Sequence, residues 1–171
     1  MRAEGQGYGI ATDSIGAIGG SAGGHLVAPP GTSFQAAALE GNGGHAGVSS
    51  RVQAVVALAP VTDFATMSGT DTAGSTVAQV LFQNKIELAR TFSPVTYLSK
   101  GSAPVLLMHG GADKTVPISQ SEEMLERCRK AGVRASLITV KDAPHPFWNL
   151  AKWAPDTIAQ AAAFFHDVLG D

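Results

Sequence analysis

Residues 16–26 read GAIGGSAGGHL and place one serine, Ser21, among five glycines directly after a short apolar run. Two ordinary explanations compete with a functional one: a flexible glycine loop and a turn that cradles a phosphate. The phosphate explanation is disfavoured, because the chain lacks G-x-x-x-x-G-K-[ST] and this glycine spacing does not give G-x-G-x-x-G. Residues 19–23 do match G-x-S-x-G, in which the serine stands on a sharp strand-to-helix turn.

The predicted turn gives Ser21 and its neighbour specific chemical roles. Gly19 and Gly23 are expected to let neighbouring backbone approach without a Cβ clash, while Ser21 itself is held in strained geometry with an exposed hydroxyl. A helix that begins at Ala22 leaves the Ala22 N–H without an acceptor inside the helix. The sequence therefore predicts Ser21 as a nucleophile and the Ala22 N–H as an oxyanion donor.

A nucleophilic serine needs a base and a group that orients this base, and on such a turn the chain order is serine, acid, histidine. Asp113 lies in HGGADKTVP, just after a predicted strand at 105–108, and His145 lies in DAPHPFW, just after a predicted strand at 135–140. Both residues are expected at the carboxyl edge of the sheet, where α/β sites assemble. They are the predicted acid and base.

Ordinary explanations compete for these two residues as well. Asp113 suits a turn, and His145 suits a rigid loop because it stands between two prolines. Asp63 and Asp142 are rival acids. However, Asp63 precedes the strand that should carry the acid, and Asp142 is too near His145 in sequence to reach around it easily.

The other four histidines are interpreted as structural or superficial. His109 ends a buried strand and is expected to form structural hydrogen bonds, whereas His25 is expected to pack on the first helical turn after the serine. His45 and His166 are expected at the surface. The histidines show no metal-ligand spacing and no H-E-x-x-H occurs, so neither a metal nor another cofactor is predicted.

Composition limits the class of protein. The 171 residues are 44% hydrophobic and 15% charged with a net charge of -2, which predicts a single domain with a packed core and no nucleic-acid partner. The one cysteine, Cys128, excludes an intrachain disulfide and is expected to pack as a small apolar residue. No signal peptide or membrane span is recognisable, so the chain as written is predicted to be soluble, in a compartment that the sequence does not specify.

Short apolar runs alternate with segments of helical period, which is typical of an α/β domain with a mostly parallel sheet and helices on both faces. The predicted strands are 15–18, 52–58, 105–108 and 135–140. The predicted helices are 22–27, 34–39, 77–81, 86–90, 119–131 and 156–169. In the helix at 119–131, Ser119 is the predicted N-cap, with Glu122 as its capping-box partner and Gly132 at the C-cap. Four apolar residues are predicted to share one face of the last helix: Ile158, Ala162, Phe165 and Leu169.

With these residues assembled, the sequence resembles the α/β-hydrolase superfamily, and within it the carboxylesterase and acetyl-xylan-esterase-like branch related to lipases and feruloyl-esterase-type enzymes. The matching stretches are IGAIGGSAGGHL, EGNGGHAGVSSRVQAVVALAPVTDF, SPVTYLSKGSAPVLLMHGGADKTVPISQS and DAPHPFW. The resemblance implies a serine esterase in which Ser21 forms an acyl-enzyme, His145 is the base, Asp113 orients it and Ala22 donates to the oxyanion. Bulky or polymeric esters, such as acetylated polysaccharide or aromatic polyester, are the expected substrates, and relatives are often secreted.

One departure from the family pattern is large. Relatives carry further strands and an HGGG-type loop before the serine turn, and no HGGG precedes Ser21 in this sequence. The expected fold is thus an α/β-hydrolase domain over 1–171 that lacks the family's N-terminal strands. The strand at 15–18 is then expected at a sheet edge, which predicts either pairing with a second copy or coverage by residues 1–14.

Three aromatic residues near the base, Phe147, Trp148 and Trp153, have two interpretations. They are predicted either to form an apolar wall for an acyl or aromatic group or to pack against the last helix. Two other functions also stay open for the chain as a whole. One is a catalytically weak or dead hydrolase that acts as a binding or assembly module, and the other is a serine peptidase of the prolyl-oligopeptidase type.

Overall fold

A computed structural model describes residues 1–33, 36, 39–41, 43–67, 80–83 and 85–170. The predicted helices at 34–39 and 77–81 fall mainly outside these residues. The strands are β1 (Gly16–Gly20), β2 (Ala54–Leu58), β3 (Val105–Gly110) and β4 (Ala135–Val140). The α-helices are α1 (Ala22–Thr32), α2 (Ile86–Thr91), α3 (Ser119–Lys130) and α4 (Ala154–Leu169). Short 3-10 turns occupy Gly5–Tyr8, Pro94–Tyr97 and Phe147–Asn149.

The four strands form a parallel sheet in the order β1-β2-β3-β4. β2 and β3 are buried along their whole length, because their side chains alternate between two covered faces. One face packs against α1 and α3 through residues such as Val55, Leu107 and Met124. The opposite face packs against α4 through residues such as Val56 and Ala161. The predicted α/β architecture with helices on both faces is confirmed.

The predicted strands agree with the structure within two residues at each end. The strand at 135–140 is reproduced without change, and the strand at 52–58 begins two residues later. The strand at 105–108 continues through His109 and Gly110, and β1 is displaced toward its carboxyl end. Both changes extend the sheet toward the edge that carries the predicted site.

The predicted capping of α3 is wrong. Ile118, not Ser119, is the N-cap residue, and no side chain caps this end of the helix. The first turn starts one residue earlier than the pattern indicated, because the N–H of Glu122 bonds to the Ile118 carbonyl. At the other end, Ala131 is the C-cap, and Gly132 follows it with a φ of +71°.

α4 buries a different face from the predicted one. Ile158 is 66% exposed and Ala162 is also exposed, whereas Thr157 and Ala161 are buried. Thr157 tolerates burial because its hydroxyl donates to the Trp153 carbonyl at 2.8 Å. The amphipathic pattern predicted burial of Ile158 instead, because isoleucine is more apolar than threonine. Phe165 and Leu169, farther along the helix, are partly buried as predicted.

No helix within the described ranges is long and apolar enough to cross a membrane.

β1 is an edge strand of the sheet, and the backbone groups on its outer side are not paired with another described strand. The Ile15 carbonyl and the Ser21 N–H both bond to the β2 side, so alternation directs the N–H and C=O groups of residues 16, 18 and 20 outward. Ile18 is 49% exposed. No backbone hydrogen bond joins residues 1–14 to this edge, and the Arg2 guanidinium bonds elsewhere, to carbonyls at Thr12, Ser49 and Arg51. The predicted coverage by residues 1–14 is therefore wrong.

Candidate active site

Ser21 occupies the turn between β1 and α1 in a conformation that few residues adopt. Its φ of 57° and ψ of −119° lie outside the regions favoured by L-amino acids, as predicted for a strained turn. The backbone is held there by hydrogen bonds from the Ser21 N–H to the Leu58 carbonyl at 2.8 Å and from the His25 N–H to the Ser21 carbonyl at 3.0 Å. Ser21 is the N-cap of α1, yet its hydroxyl does not cap the helix. The hydroxyl thus has no structural task at the helix end that a serine ordinarily caps.

The glycines around Ser21 differ in how closely other atoms approach the position that a Cβ would occupy. A Cβ on Gly19 would lie 2.3 Å from the Gly23 carbonyl oxygen, so the predicted close approach of backbone is confirmed there. A Cβ on Gly23 would meet nothing within 4 Å, so the same prediction is wrong for Gly23. Gly20 supplies a contact that the motif does not reveal, since its Cβ would lie 2.4 Å from the indole of Trp148.

Asp113 lies in the loop after β3 with its side chain completely buried. Its Oδ1 accepts hydrogen bonds from the backbone N–H groups of Thr115 at 2.8 Å and Val116 at 3.0 Å. The loops after β3 and β4 are pressed together, and a Cβ on Gly110 would lie 2.3 Å from the Ala143 carbonyl oxygen. The predicted turn interpretation of Asp113 is thus correct for one oxygen, while the other oxygen is free to reach the next loop.

The second carboxylate oxygen joins the predicted acid to the predicted base. Oδ2 of Asp113 lies 2.8 Å from Nδ1 of His145, whose side chain is only 11% exposed. A carboxylate accepts hydrogen bonds, so Nδ1 of His145 carries the proton and Nε2 is left as an acceptor. This is the arrangement that a general base requires.

Trp148 connects the base to the serine turn. Its ring lies edge-on to the His145 imidazole, with 5.1 Å between centroids, and it also lies against the backbone at Gly20. The structure thereby brings His145 and Ser21 to the same edge of the sheet. Within the described part of the chain, neither the Ser21 hydroxyl nor Nε2 of His145 forms a hydrogen bond, so the predicted base contacts the predicted acid but not the predicted nucleophile.

His109 behaves as the structural hydrogen-bonding residue that the sequence predicts. It is fully buried, with Nδ1 2.8 Å from the Ser121 hydroxyl and Nε2 3.0 Å from the Val116 carbonyl. Nε2 must carry the proton, because a carbonyl only accepts. Burial lowers the pKa of His109, so the ring is neutral and supports the loop that holds Asp113.

The rival acids have other tasks. Oδ1 of Asp63, which is buried, accepts the Ala65 N–H at 2.8 Å. Asp142 is exposed on the turn after β4 with a φ of 56°.

The remaining titratable residues named above have no part in the site. His45 and His166 are exposed, as predicted. Burial raises the pKa of the Cys128 thiol to about 11, which fits the predicted apolar packing. No group of three or more potential metal ligands occurs in the described ranges.

An apolar cleft of about 520 Å³ opens beside Ser21 and Ala22. It runs between the first turn of α1 and the segment after β2. Six of the side chains that line it are apolar residues from three parts of the chain: Val61, Phe64, Met67, Phe82, Leu88 and Phe92. The sequence did not predict this cleft, because its walls come from loops far apart in sequence and carry no shared motif.

The three predicted aromatic residues do not line this cleft. Phe147 has no exposed surface and belongs to the core beneath α4, so its prediction as a wall for substrate is wrong. Trp153 is partly buried against the same core, and the Lys152 ammonium lies 4.6 Å from its ring centroid. Trp148 alone lies against the predicted base. The packing interpretation therefore holds for all three, because Trp148 also packs against the core beneath α4.

Gln120 is a buried residue that the sequence gave no reason to select, since it lies in a polar first turn of α3. Its Oε1 accepts the backbone N–H groups of Thr62 and Asp63, both at 2.9 Å, and its Nε2 donates to the Thr66 hydroxyl. The Thr62 hydroxyl donates to the Gln120 carbonyl at 2.6 Å. These four bonds anchor the segment that forms one wall of the cleft.

The parallel sheet, the strained serine turn and the acid–base pair at its carboxyl edge define an α/β-hydrolase of the esterase superfamily. The chain belongs to the BD-FAE family, whose family model matches residues 1–128. Among curated relatives, the probable carboxylic ester hydrolase LipM of Mycobacterium tuberculosis is 30% identical over 136 residues, which cover 72% of this chain and 30% of LipM.

Solved structures show the same relationship. A truncated form of a carbohydrate esterase from gut microbiota matches 99% of this chain with a TM-score of 0.82 and 26% identity. Esterase 2 of the planctomycete Thermogutta terrifontis, phosphonylated by sarin, matches 99% with a TM-score of 0.83 and 25% identity. The chain covers 65% of the first protein and 62% of the second, and so spans less than two thirds of either.

Proposed function

We propose that this chain is a serine hydrolase of carboxylic esters, with Ser21 as nucleophile, His145 as general base and Asp113 as the orienting acid. The observation that carries the proposal is the 2.8 Å bond between Asp113 and Nδ1 of His145, which leaves Nε2 as an acceptor at the edge where Ser21 stands. The esterase 2 of Thermogutta terrifontis forms a phosphonyl adduct with sarin, and this supports nucleophilic chemistry in a protein of the same fold.

The reaction follows from these positions. Oγ of Ser21 attacks the ester carbonyl carbon while Nε2 of His145 accepts the hydroxyl proton. The carbonyl oxygen becomes an oxyanion that accepts a hydrogen bond from the Ala22 N–H at the start of α1. The bond to the alcohol oxygen then breaks, and the alcohol leaves with the proton from His145. Water attacks the acyl-enzyme by the same route and releases the carboxylic acid.

The experiment is hydrolysis of p-nitrophenyl acetate and p-nitrophenyl butyrate by the purified chain and by its Ser21→Ala variant. We expect the wild-type rate to exceed the variant rate by about 10³-fold or more, since removal of a nucleophile leaves only binding and oxyanion stabilisation. Ser14→Ala is the matched control, because it removes a serine hydroxyl outside the site. Equal rates in the wild-type and Ser21→Ala proteins would contradict the proposal and favour a binding module.

For the natural substrate we propose bulky or polymeric esters, with acetylated polysaccharide as the first candidate and aromatic polyester as the second. Two observations support this: the gut-microbiota relative is a carbohydrate esterase by its name, and the triad residues stand at the rim of the sheet beside an apolar cleft. Release of acetate from acetylated xylan, compared with that from p-nitrophenyl acetate, tests the first candidate. Release of terephthalate from an aromatic polyester film tests the second.

We also propose that two copies of the chain associate through β1. Backbone groups at residues 16, 18 and 20 lack partners within the described ranges. Ile18 is half-exposed, and Gly16 and Gly20, which share its face of the strand, have no side chains to shield the edge. Sedimentation of the wild-type chain is expected to show a dimer that Ile18→Lys dissociates. Ile158→Lys places the same charge on another exposed isoleucine, in α4, and is expected to leave the dimer intact. A wild-type monomer at all concentrations would contradict this proposal.

A further inference from the structure

The cleft beside Ser21 contains one imidazole that the proposed reaction does not use. His25 lies one helical turn after Ser21, and its ring lines the cleft. Nδ1 of His25 lies 3.1 Å from the Val61 carbonyl oxygen, and the ring packs edge-on against Phe64 with 4.9 Å between centroids. Two contacts thus fix the orientation of the imidazole, although the sequence indicated only ordinary packing for this residue.

The contact with Val61 determines which nitrogen of His25 carries the proton. A carbonyl oxygen only accepts, so Nδ1 is the donor and Nε2 is an unprotonated acceptor. Within the described residues, Nε2 has no hydrogen-bond partner. Burial lowers the pKa of His25, which keeps the ring neutral and Nε2 available near neutral pH.

The surroundings make this nitrogen chemically distinctive. Among the described residues that line the cleft, Ser21 and Thr115 are the only others with a polar side chain, and the remaining described walls are aliphatic and aromatic. A half-buried acceptor in an apolar site favours a ligand that brings a donor and disfavours one that leaves the acceptor unpaired. Ser21 and His25 both line this cleft, and the His25 N–H donates to the Ser21 carbonyl at 3.0 Å, so a ligand donor that reaches the His25 ring lies near the residue that attacks the ester.

We infer that the cleft binds the acyl group of the ester and that His25 is a specificity-determining residue, which accepts a hydrogen bond from a hydroxyl on the second or third carbon of that group. The inference rests on the proposed function, because it concerns the acyl side of the ester at the same site. It assigns a preference for hydroxyacyl esters over the matching plain acyl esters.

The test compares p-nitrophenyl 3-hydroxybutyrate with p-nitrophenyl butyrate, and the readout is the ratio of their kcat/KM values. A neutral hydrogen bond predicts a ratio of about 3 to 10 in favour of the hydroxy ester. His25→Asn keeps a side-chain N–H at the position of Nδ1 but removes the acceptor, and its expected ratio is about 1. His25→Gln places an amide oxygen near the position of Nε2, and the preference is expected to persist.

Because a ratio is measured, a general loss of rate or stability in either variant does not imitate the effect. A wild-type ratio of 1 or less, or the same ratio in His25→Asn as in the wild type, would overturn the inference. A binding experiment separates failure of this inference from failure of the proposed function. The Ser21→Ala protein, which lacks the proposed nucleophile, is titrated with methyl 3-hydroxybutyrate and with methyl butyrate, and binding is followed by NMR. Tighter binding of the hydroxy ester that His25→Asn abolishes supports the inference without turnover, and equal binding refutes it.

Discussion

Asp113 and His145 are joined by a 2.8 Å hydrogen bond between Oδ2 and Nδ1, although 32 residues separate them in the chain. The bond depends on two loops that pack directly together after neighbouring strands, with the Ala112 N–H donating to the Ala143 carbonyl at 3.0 Å. The carboxylate is fully buried and therefore holds the imidazole in one orientation. The chemistry assigned to the site depends on this pair.

Asp113→Asn tests the pair without removing the loop's support. The amide oxygen of asparagine can still accept the N–H groups of Thr115 and Val116, while its NH₂ group faces Nδ1 of His145 and imposes the wrong tautomer. Ester hydrolysis is expected to fall by about 10⁴-fold, as in other triads, with little change in Tm. Asp142→Asn makes the same chemical change on an exposed turn and is expected to retain the wild-type rate. Retained activity in Asp113→Asn would identify another acid.

Gly19→Ala and Gly23→Ala form a matched pair on the serine turn. The new Cβ at position 19 would meet backbone at 2.3 Å, which cannot move as a side chain would. Overpacking of this kind costs about 1–3 kcal/mol, so the Tm of Gly19→Ala is expected to fall by roughly 2–10 °C. At position 23 the space is open and alanine is the better helix former, so the Tm is expected to stay or rise. Thermal denaturation followed by circular dichroism measures both, and equal losses would refute the difference.

Gln120→Leu is expected to destabilise the cleft wall. The substitution keeps the approximate volume but leaves the buried N–H groups of Thr62 and Asp63 without their acceptor. Unsatisfied buried groups cost about 1–3 kcal/mol each, so the free energy of unfolding in urea should fall by about 2–5 kcal/mol. Gln160→Leu, on the exposed side of α4, is the control and should change it by less than about 0.5 kcal/mol. A small effect for Gln120→Leu would mean that water replaces the lost acceptor.

Acid should lower the free energy of unfolding, because burial disfavours the protonated forms of His109 and His25. Burial lowers the pKa of His109 below its ordinary 6.5, so the unfolded state binds a proton more readily than the folded state. This contribution to stability is complete above pH 6.5 and is lost as the pH falls below that value, at up to about 1.4 kcal/mol per pH unit for one group. His25 acts in the same direction.

Urea denaturation between pH 8 and pH 5 measures this dependence. His109→Gln is expected to be less stable at pH 8 but to lose less stability toward pH 5 than the wild type. His45→Gln, on an exposed residue, should reproduce the wild-type pH profile. An unchanged slope in His109→Gln would show that other groups cause the acid sensitivity.

The sequence predicted what local pattern and chain order encode. G-x-S-x-G located Ser21, and the positions of Asp113 and His145 after successive strands predicted the acid–base pair that the structure shows. Contacts between distant segments could not be predicted from the sequence. Examples are the packing of Gly20 against Trp148, the hydrogen bonds of Gln120 and the cleft, because each of them depends on segments that meet only in the folded chain. The face of α4 was misjudged because a hydrogen bond allows Thr157 to replace a more apolar residue.

The most direct test of the central claim is covalent labelling of the wild-type chain with an alkyl fluorophosphonate, followed by mass spectrometry of its peptides. Fluoride is displaced only where an activated nucleophile attacks phosphorus. The account predicts one adduct per chain, located on Ser21, and a strongly reduced labelling rate in His145→Ala. The absence of an adduct, or an adduct on a different serine, would contradict the assignment of Ser21 as the nucleophile.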